Sequence, residues 1–120
     1  MSDLVRGIPK AYFDLIDQVF EIERKSDLLQ ESNSINRNVS KIKDLFGNIF
    51  STSSELDTGL SYHNPIGESY NETRTDLEAS IAGNSIENLI IKEVIKPIIR
   101  FRKGKATIIA RKGVVVVASE

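Results

Sequence analysis

The spacing of apolar residues changes about halfway along this chain, and this change constrains the fold more than any other feature. In the first half, apolar residues recur at steps of three and four, which places them on one face of an α-helix. In the second half, β-branched residues alternate with polar ones or run together between turn-forming residues, as they do in strands. The sequence therefore predicts an α+β fold, with N-terminal amphipathic helices followed by a small C-terminal β-domain.

Two apolar stripes mark the helical half, one before and one after the polar segment at residues 30–34. Because the stripes are out of phase, they allow either an antiparallel hairpin of two helices or one long coiled-coil helix with a shifted seam. In either arrangement we expect the stripes to form the core of a dimer or a bundle. The residues of this predicted core are Tyr12, Leu15, Val19, Ile22, Val39, Ile42 and Phe46.

The predicted strands are bounded by glycines and by a proline. Residues 77–81 alternate apolar and polar side chains, and residues 102–105 have the composition of a hairpin tip. Pro97 interrupts a long apolar segment, so it must lie at a sheet edge, at a bulge or at a break between two strands. The run Val114–Val117 predicts a strand that is central in its sheet or covered on both faces.

A chain of 120 residues is long enough for one ordinary domain but not for two independent cores. We therefore expect one folding unit with a helical extension. The patterns assign residues 1–52 to a helical oligomerisation segment, residues 53–66 to a linker and residues 67–120 to the small β-domain.

Charge and cysteine content exclude several classes of function. Sixteen basic and seventeen acidic residues give a net charge of -1, so no overall field attracts the chain to nucleic acid or to an anionic membrane. The absence of cysteine rules out disulfides and thiolate nucleophiles. We find neither a signal-peptide pattern nor an apolar run that could span a bilayer, and we expect a cytoplasmic protein.

The sequence offers little for catalysis or for a metal site. His63 is the only histidine, and it has no second histidine or cysteine nearby to complete a zinc site or a nucleophile–base pair. The glycines are too scattered to form a phosphate-binding loop. We therefore expect no enzyme activity, no cofactor and no metal, and we predict that the chain acts by binding.

A cluster of basic residues around the predicted hairpin suggests a second kind of partner. It comprises Arg100, Arg102, Lys103, Lys105, Arg111 and Lys112. Such a patch can contact phosphates, but Phe101 is the one aromatic residue within it for stacking on bases. Nucleic-acid binding is therefore the weaker alternative.

Three segments of the second half resemble one protein family. Residues 62–70 place Pro65 and then Gly67-Glu68 before an aromatic residue, residues 89–100 form the proline-interrupted apolar segment, and residues 108–117 end in the valine run. In this order they resemble the GrpE family, the nucleotide exchange factors of DnaK-type chaperones. The resemblance implies a homodimer, with paired helices followed by a compact β-domain.

The resemblance also implies a mechanism. The β-domain of such a protein binds the nucleotide-binding domain of the chaperone and favours its open cleft, so that ADP leaves faster. The partner-binding residues expected on this basis are Asn64, Pro65, Glu68, Tyr70, Glu72, Arg74, Pro97, Arg100 and Arg102. The leading alternative is a homo-oligomeric adaptor that binds another protein without exchange activity.

Overall fold

The computed structural model of the chain describes residues 5–29 and 34–120. Within these ranges two helices precede six strands, which confirms the predicted α+β class and the order of its elements. The elements are α1 (Lys10–Asp27), α2 (Ser34–Gly47), β1 (Thr58–His63), β2 (Leu77–Ile81), β3 (Leu89–Lys96), β4 (Ile98–Lys103), β5 (Ala106–Arg111) and β6 (Gly113–Ser119).

The chain divides into two compact units, and their boundaries differ from the predicted segments. Unit 1 comprises Met1–Ser61 and Phe101–Ile108, and unit 2 comprises Tyr62–Arg100 and Ile109–Glu120. The tip of the β4–β5 hairpin therefore belongs to unit 1, although it lies far along the chain. Strand β1 begins inside the segment that was predicted to be a linker. Contacts between residues distant in sequence decide such a division, and local composition does not report them.

In unit 1 the two helices form an antiparallel hairpin. The hydroxyl of Ser26 donates to Oδ1 of Asn36 at 2.5 Å, and Lys43 Nζ lies 3.2 Å from Oε2 of Glu23. The second pair lies nearer the start of α1 and nearer the end of α2 than the first pair does. The two helices therefore run in opposite directions. The hairpin alternative is therefore confirmed and the coiled-coil alternative is wrong.

No helix in the described part of the chain is both long and apolar enough to cross a membrane.

The buried face of α1 is rotated from the predicted stripe. Ile16 is 0% exposed and Phe20 is 1% exposed, whereas Leu15 is 55% exposed and Ile22 is 45% exposed. The helix carries two adjacent apolar stripes, and its packing buries the one that contains Phe20. Of the other predicted core residues, Val19, Val39 and Phe46 are buried, while Tyr12 and Ile42 are half-buried.

The six strands form two three-stranded sheets, in the orders β1-β4-β5 and β2-β6-β3. In the second sheet the valine-rich strand β6 is central, which is one of the two positions that its sequence predicts. It pairs parallel with β2, where Leu77 is opposite Gly113, and antiparallel with β3, where Ile91 is opposite Val117. Pro97 lies between β3 and β4, so of the three predicted alternatives, a sheet edge, a bulge or a break between strands, it is the break that the structure shows.

Candidate protein-binding site

A carboxylate held by two arginines lies at the start of β2 in unit 2. Asp76 accepts two hydrogen bonds from the Arg74 guanidinium, one from Nε to Oδ1 at 3.0 Å and one from Nη2 to Oδ2 at 2.9 Å. This is the bidentate geometry that makes arginine–carboxylate pairs strong and directional. Arg100 of β4 adds a longer contact, with Nη2 3.5 Å from Asp76 Oδ2.

Arg74 also connects Asp76 to a second carboxylate. Its Nη1 donates to Oε1 of Glu68 at 3.2 Å and to the carbonyl of Ser69 at 3.1 Å. The other oxygen of Glu68 lies 2.5 Å from Nε2 of His63, the last residue of β1. We call this connected set of five side chains, His63, Glu68, Arg74, Asp76 and Arg100, the ionic cluster.

Local backbone structure places Glu68 within reach of Arg74. Gly67 has a φ of 81°, a left-handed conformation that glycine adopts without steric cost, and it turns the chain toward β3. The amide of Gly67 then donates to the carbonyl of Ile91, and the amide of Ile91 donates to the carbonyl of Glu68, both at 2.9 Å. These two bonds hold the loop that carries Glu68 along the edge of β3.

A second turn positions Arg74. The Asn71 carbonyl accepts the amide of Arg74 at 3.1 Å, and the Asn71 side chain accepts the amide of Thr73 at 2.9 Å. Asparagine favours such turns because its short side chain can bond the backbone two residues further on. Arg74 directly follows this turn and Asp76 lies in the bend before β2, and this path brings the two side chains within hydrogen-bonding distance.

Hydrogen bonding within the ionic cluster shifts the pKa of Asp76 and the pKa of Arg74. The bond from the Arg74 guanidinium holds the pKa of Asp76 below its usual value, and it outweighs the opposing effect of burial. The same bond, together with the charge of Asp76 and the contact with Glu68, raises the pKa of Arg74 above its usual value. Both groups are therefore charged at neutral pH.

We expect the lowered pKa of Asp76 to make the folded state acid-sensitive. A carboxyl group with a lower pKa in the folded than in the unfolded chain stabilises the fold above the unfolded pKa of about 3.9. This stabilisation is lost as the pH falls through the lower pKa of the folded state. Urea unfolding of the wild type and of Asp76→Asn between pH 6 and pH 2.5 measures it. The difference in stability between the two proteins should shrink toward the acid end, and a constant difference would contradict the prediction.

The residues predicted to bind a partner have different environments. Glu68, Arg74 and Arg100 meet in the ionic cluster, which also contains Asp76 and His63, two residues outside the predicted set. The spacing of Arg74 and Asp76 just before a strand was the signal that could have identified Asp76. In unit 2, the exposed or half-buried members of the predicted set outside the cluster are Asn64, Tyr70 and Glu72.

Three other members of the predicted set are placed differently. Pro65 and Pro97 are fully buried in unit 2, so they shape the loop and the strand break and present little surface to a partner. Arg102 belongs to unit 1, where its Nη2 lies 3.9 Å from Oδ1 of Asp57.

The basic residues around the hairpin are largely paired within their own units. In unit 1, Lys103 lies 3.3 Å from Glu55, in addition to the contact between Arg102 and Asp57. In unit 2, Arg100 contacts Asp76, and Arg111 Nη2 donates to the carbonyl of Pro97 at 2.9 Å. Acidic side chains beside these cations reduce the positive field available to phosphates, and this weakens the case for nucleic-acid binding.

Residues 5–29 and 34–120 contain no group of three or more histidine, cysteine or acidic side chains placed to hold a metal ion. Comparison of the chain with protein-family models, with curated proteins and with solved structures finds no match.

Proposed function

We propose that this chain is a GrpE-like co-chaperone, a nucleotide exchange factor that binds the nucleotide-binding domain of a DnaK-type chaperone and promotes ADP release. The observation that carries this proposal is the composition of the ionic cluster. His63 and Glu68 come from the first segment of family resemblance and Arg100 from the end of the second, and Arg74 and Asp76 join them.

The cluster is suited to recognising a charged protein surface. The side chains of His63, Glu68 and Arg100 are 45%, 38% and 32% exposed, so each can still contact a partner. Their mutual bonds hold them in position before binding, which lowers the entropy lost when a complex forms. Complementary charges at such a surface also speed encounter with the partner and select against wrong partners.

Nucleotide exchange by this mechanism requires only that the factor bind the open and closed states of the chaperone with different affinities. A factor that binds the open, nucleotide-poor state of the chaperone more tightly than the closed state shifts the population toward open. By reciprocity, the nucleotide then binds more weakly. Each tenfold preference for the open state corresponds to about 1.4 kcal/mol.

We also propose that the chain is a cytoplasmic homodimer. Leu15 and Ile22 support this proposal, because they are seven residues apart on one face of α1 and are exposed within the single chain. The hairpin of α1 and α2 then serves for assembly, and unit 2 carries the contact with the chaperone.

Release of a fluorescent ADP analogue from a purified DnaK-type chaperone tests the exchange proposal. We expect the wild-type chain to accelerate release and Glu68→Gln to lower this acceleration about tenfold, because a charge pair with the partner is lost. The matched control is Glu87→Gln, which removes an exposed carboxylate outside the ionic cluster in the same unit. This control should behave as the wild type.

Two results would contradict the proposal. Failure of the wild-type chain to accelerate release at saturating concentration, from any DnaK-type chaperone of its own cell, rules out exchange activity. Equal loss of activity in Glu68→Gln and Glu87→Gln removes the ionic cluster from the mechanism. Tight binding of a chaperone without faster release supports the adaptor alternative instead.

A further inference from the structure

Among the described residues, strand β2 pairs with β6 on one side and with no strand on the other, so it is an open edge of the sheet β2-β6-β3. The amide of Gly113 donates to the carbonyl of Asp76 at 3.0 Å, and the amide of Ala82 donates to the carbonyl of Val117 at 2.8 Å. In a parallel ladder of this register, every second residue of β2 bonds to β6 and those between do not. The peptide groups of Ala79 and Ile81 therefore point away from the sheet, and such an edge is a template for another strand.

A groove of mixed polarity lies within unit 2, and Ala79 and Ile81 of β2 form part of its lining. It has a volume of about 690 Å³, and its apolar lining includes Tyr70, Ala79, Ile81, Ile86 and Leu89. Ile81 is 47% exposed and Ile86 is 75% exposed, so the groove is open to an incoming side chain. Ala79 and Ile81 contribute both to the groove and to the free edge, which places backbone recognition and a side-chain pocket next to each other.

Charge indicates what kind of segment fits. The charged side chains that line the groove are those of Glu72 and Glu120, and both are carboxylates. Apolar side chains in a neighbouring strand would enter the groove, and basic side chains two positions away would lie on the same face, close to these carboxylates.

We propose that the edge of β2 binds an extended peptide segment in which apolar residues are flanked, at alternate positions, by lysine or arginine. The segment adds to the sheet as a fourth strand beside β2. Main-chain hydrogen bonds with β2 supply affinity. The apolar side chains and the two carboxylates of the groove supply specificity. The residues that carry this interaction lie outside the ionic cluster, although Tyr70 and Glu72 also belong to the set that the resemblance predicts to bind a partner.

The test uses the full chain and a fluorescein-labelled heptapeptide. Leucine occupies its two central alternate positions, threonine the positions between, and lysine both ends. Fluorescence anisotropy should show saturable binding. N-methylation of the peptide bonds that face β2 should weaken binding at least tenfold, because the donors are lost while side chains and charge remain. Replacing both lysines with glutamate should weaken it by a similar factor.

Variants of the protein provide the complementary evidence. Ala79→Pro removes an outward-facing amide without removing a bond to β6, and we expect it to weaken binding about tenfold. Glu72→Gln should weaken binding and reduce its salt dependence. Glu78→Gln is the matched control, because its side chain lies on the opposite face of β2, and it should leave affinity unchanged.

Any of four results would overturn the proposal. They are equal affinity for the N-methylated peptide, equal affinity for the glutamate peptide, unchanged affinity of Ala79→Pro, and no binding at peptide concentrations up to about 1 mM. Sedimentation detects the competing occupant, a second copy of this chain paired through the same edge. A dimer that Ala79→Pro dissociates would assign the edge to self-association.

Discussion

The Gly59→Ala variant is expected to be less stable than the wild type by about 3 kcal/mol, the upper end of the usual cost of overpacking. A Cβ atom at this position of β1 would overlap the carbonyl oxygen of Phe46 and would lie 2.5 Å from the carbonyl carbon of Gly47. Both contacts are with the backbone at the end of α2, which cannot rotate aside as a flexible side chain would. The strand and the helix must therefore separate to admit a single methyl group.

Gly47→Ala is the matched control for this prediction. A Cβ atom at Gly47 meets no other atom within 4 Å, and the residue is the last of α2. Alanine also has a higher helix propensity than glycine, so we expect no loss of stability or a gain of up to about 1 kcal/mol. Urea unfolding followed by circular dichroism measures both variants. Similar free energies of unfolding for the two would contradict the close approach of β1 to α2.

The Phe20→Ala variant is expected to lose about 3–5 kcal/mol of stability, whereas Leu15→Ala should change by no more than about 0.5 kcal/mol. The phenylalanine is 1% exposed in unit 1, so its removal leaves a cavity, whereas the leucine is 55% exposed. Both substitutions lie on α1, and they differ mainly in burial. Urea unfolding at low protein concentration compares them as single chains.

Protein concentration adds a second readout for Leu15. If Leu15 contacts a partner copy, as the homodimer proposal requires, wild-type stability rises with concentration and that rise is smaller in Leu15→Ala. A large loss for Leu15→Ala at low concentration, or a small loss for Phe20→Ala, would contradict the buried face described for α1.

The contrast between Leu15 and Phe20 shows what helical periodicity can and cannot predict. The sequence has apolar residues both at positions 12, 15, 19 and 22 and at positions 16 and 20, and either stripe satisfies a helical period. Packing in unit 1 buries the second stripe together with Val19. Periodicity identifies a helix from local spacing, but the buried face depends on what the helix packs against.

The ionic cluster shows that local sequence spacing also does not predict the side-chain contacts of the candidate site. Sequence reasoning placed Glu68, Arg74 and Arg100 in one predicted set through resemblance, and their role in binding stays a prediction. Their connection through Asp76 depends on two loops and on a strand from a distant part of the chain. Side-chain contacts of this kind follow from the tertiary structure, since nothing in local spacing brings Arg100 to Asp76.

By itself, the sequence determined the α+β class and the strand at Leu77–Ile81. It also limited Pro97 to a sheet edge, a bulge or a break, and the valine strand to a central or doubly covered position. These features depend on local periodicity, on the missing amide of proline and on how apolar a strand must be to lie inside a sheet. Only the tertiary structure decided the helical hairpin, the division into units and the open edge of β2. Those features depend on which distant segments pair, and the free energy of that pairing is not a property of any one segment.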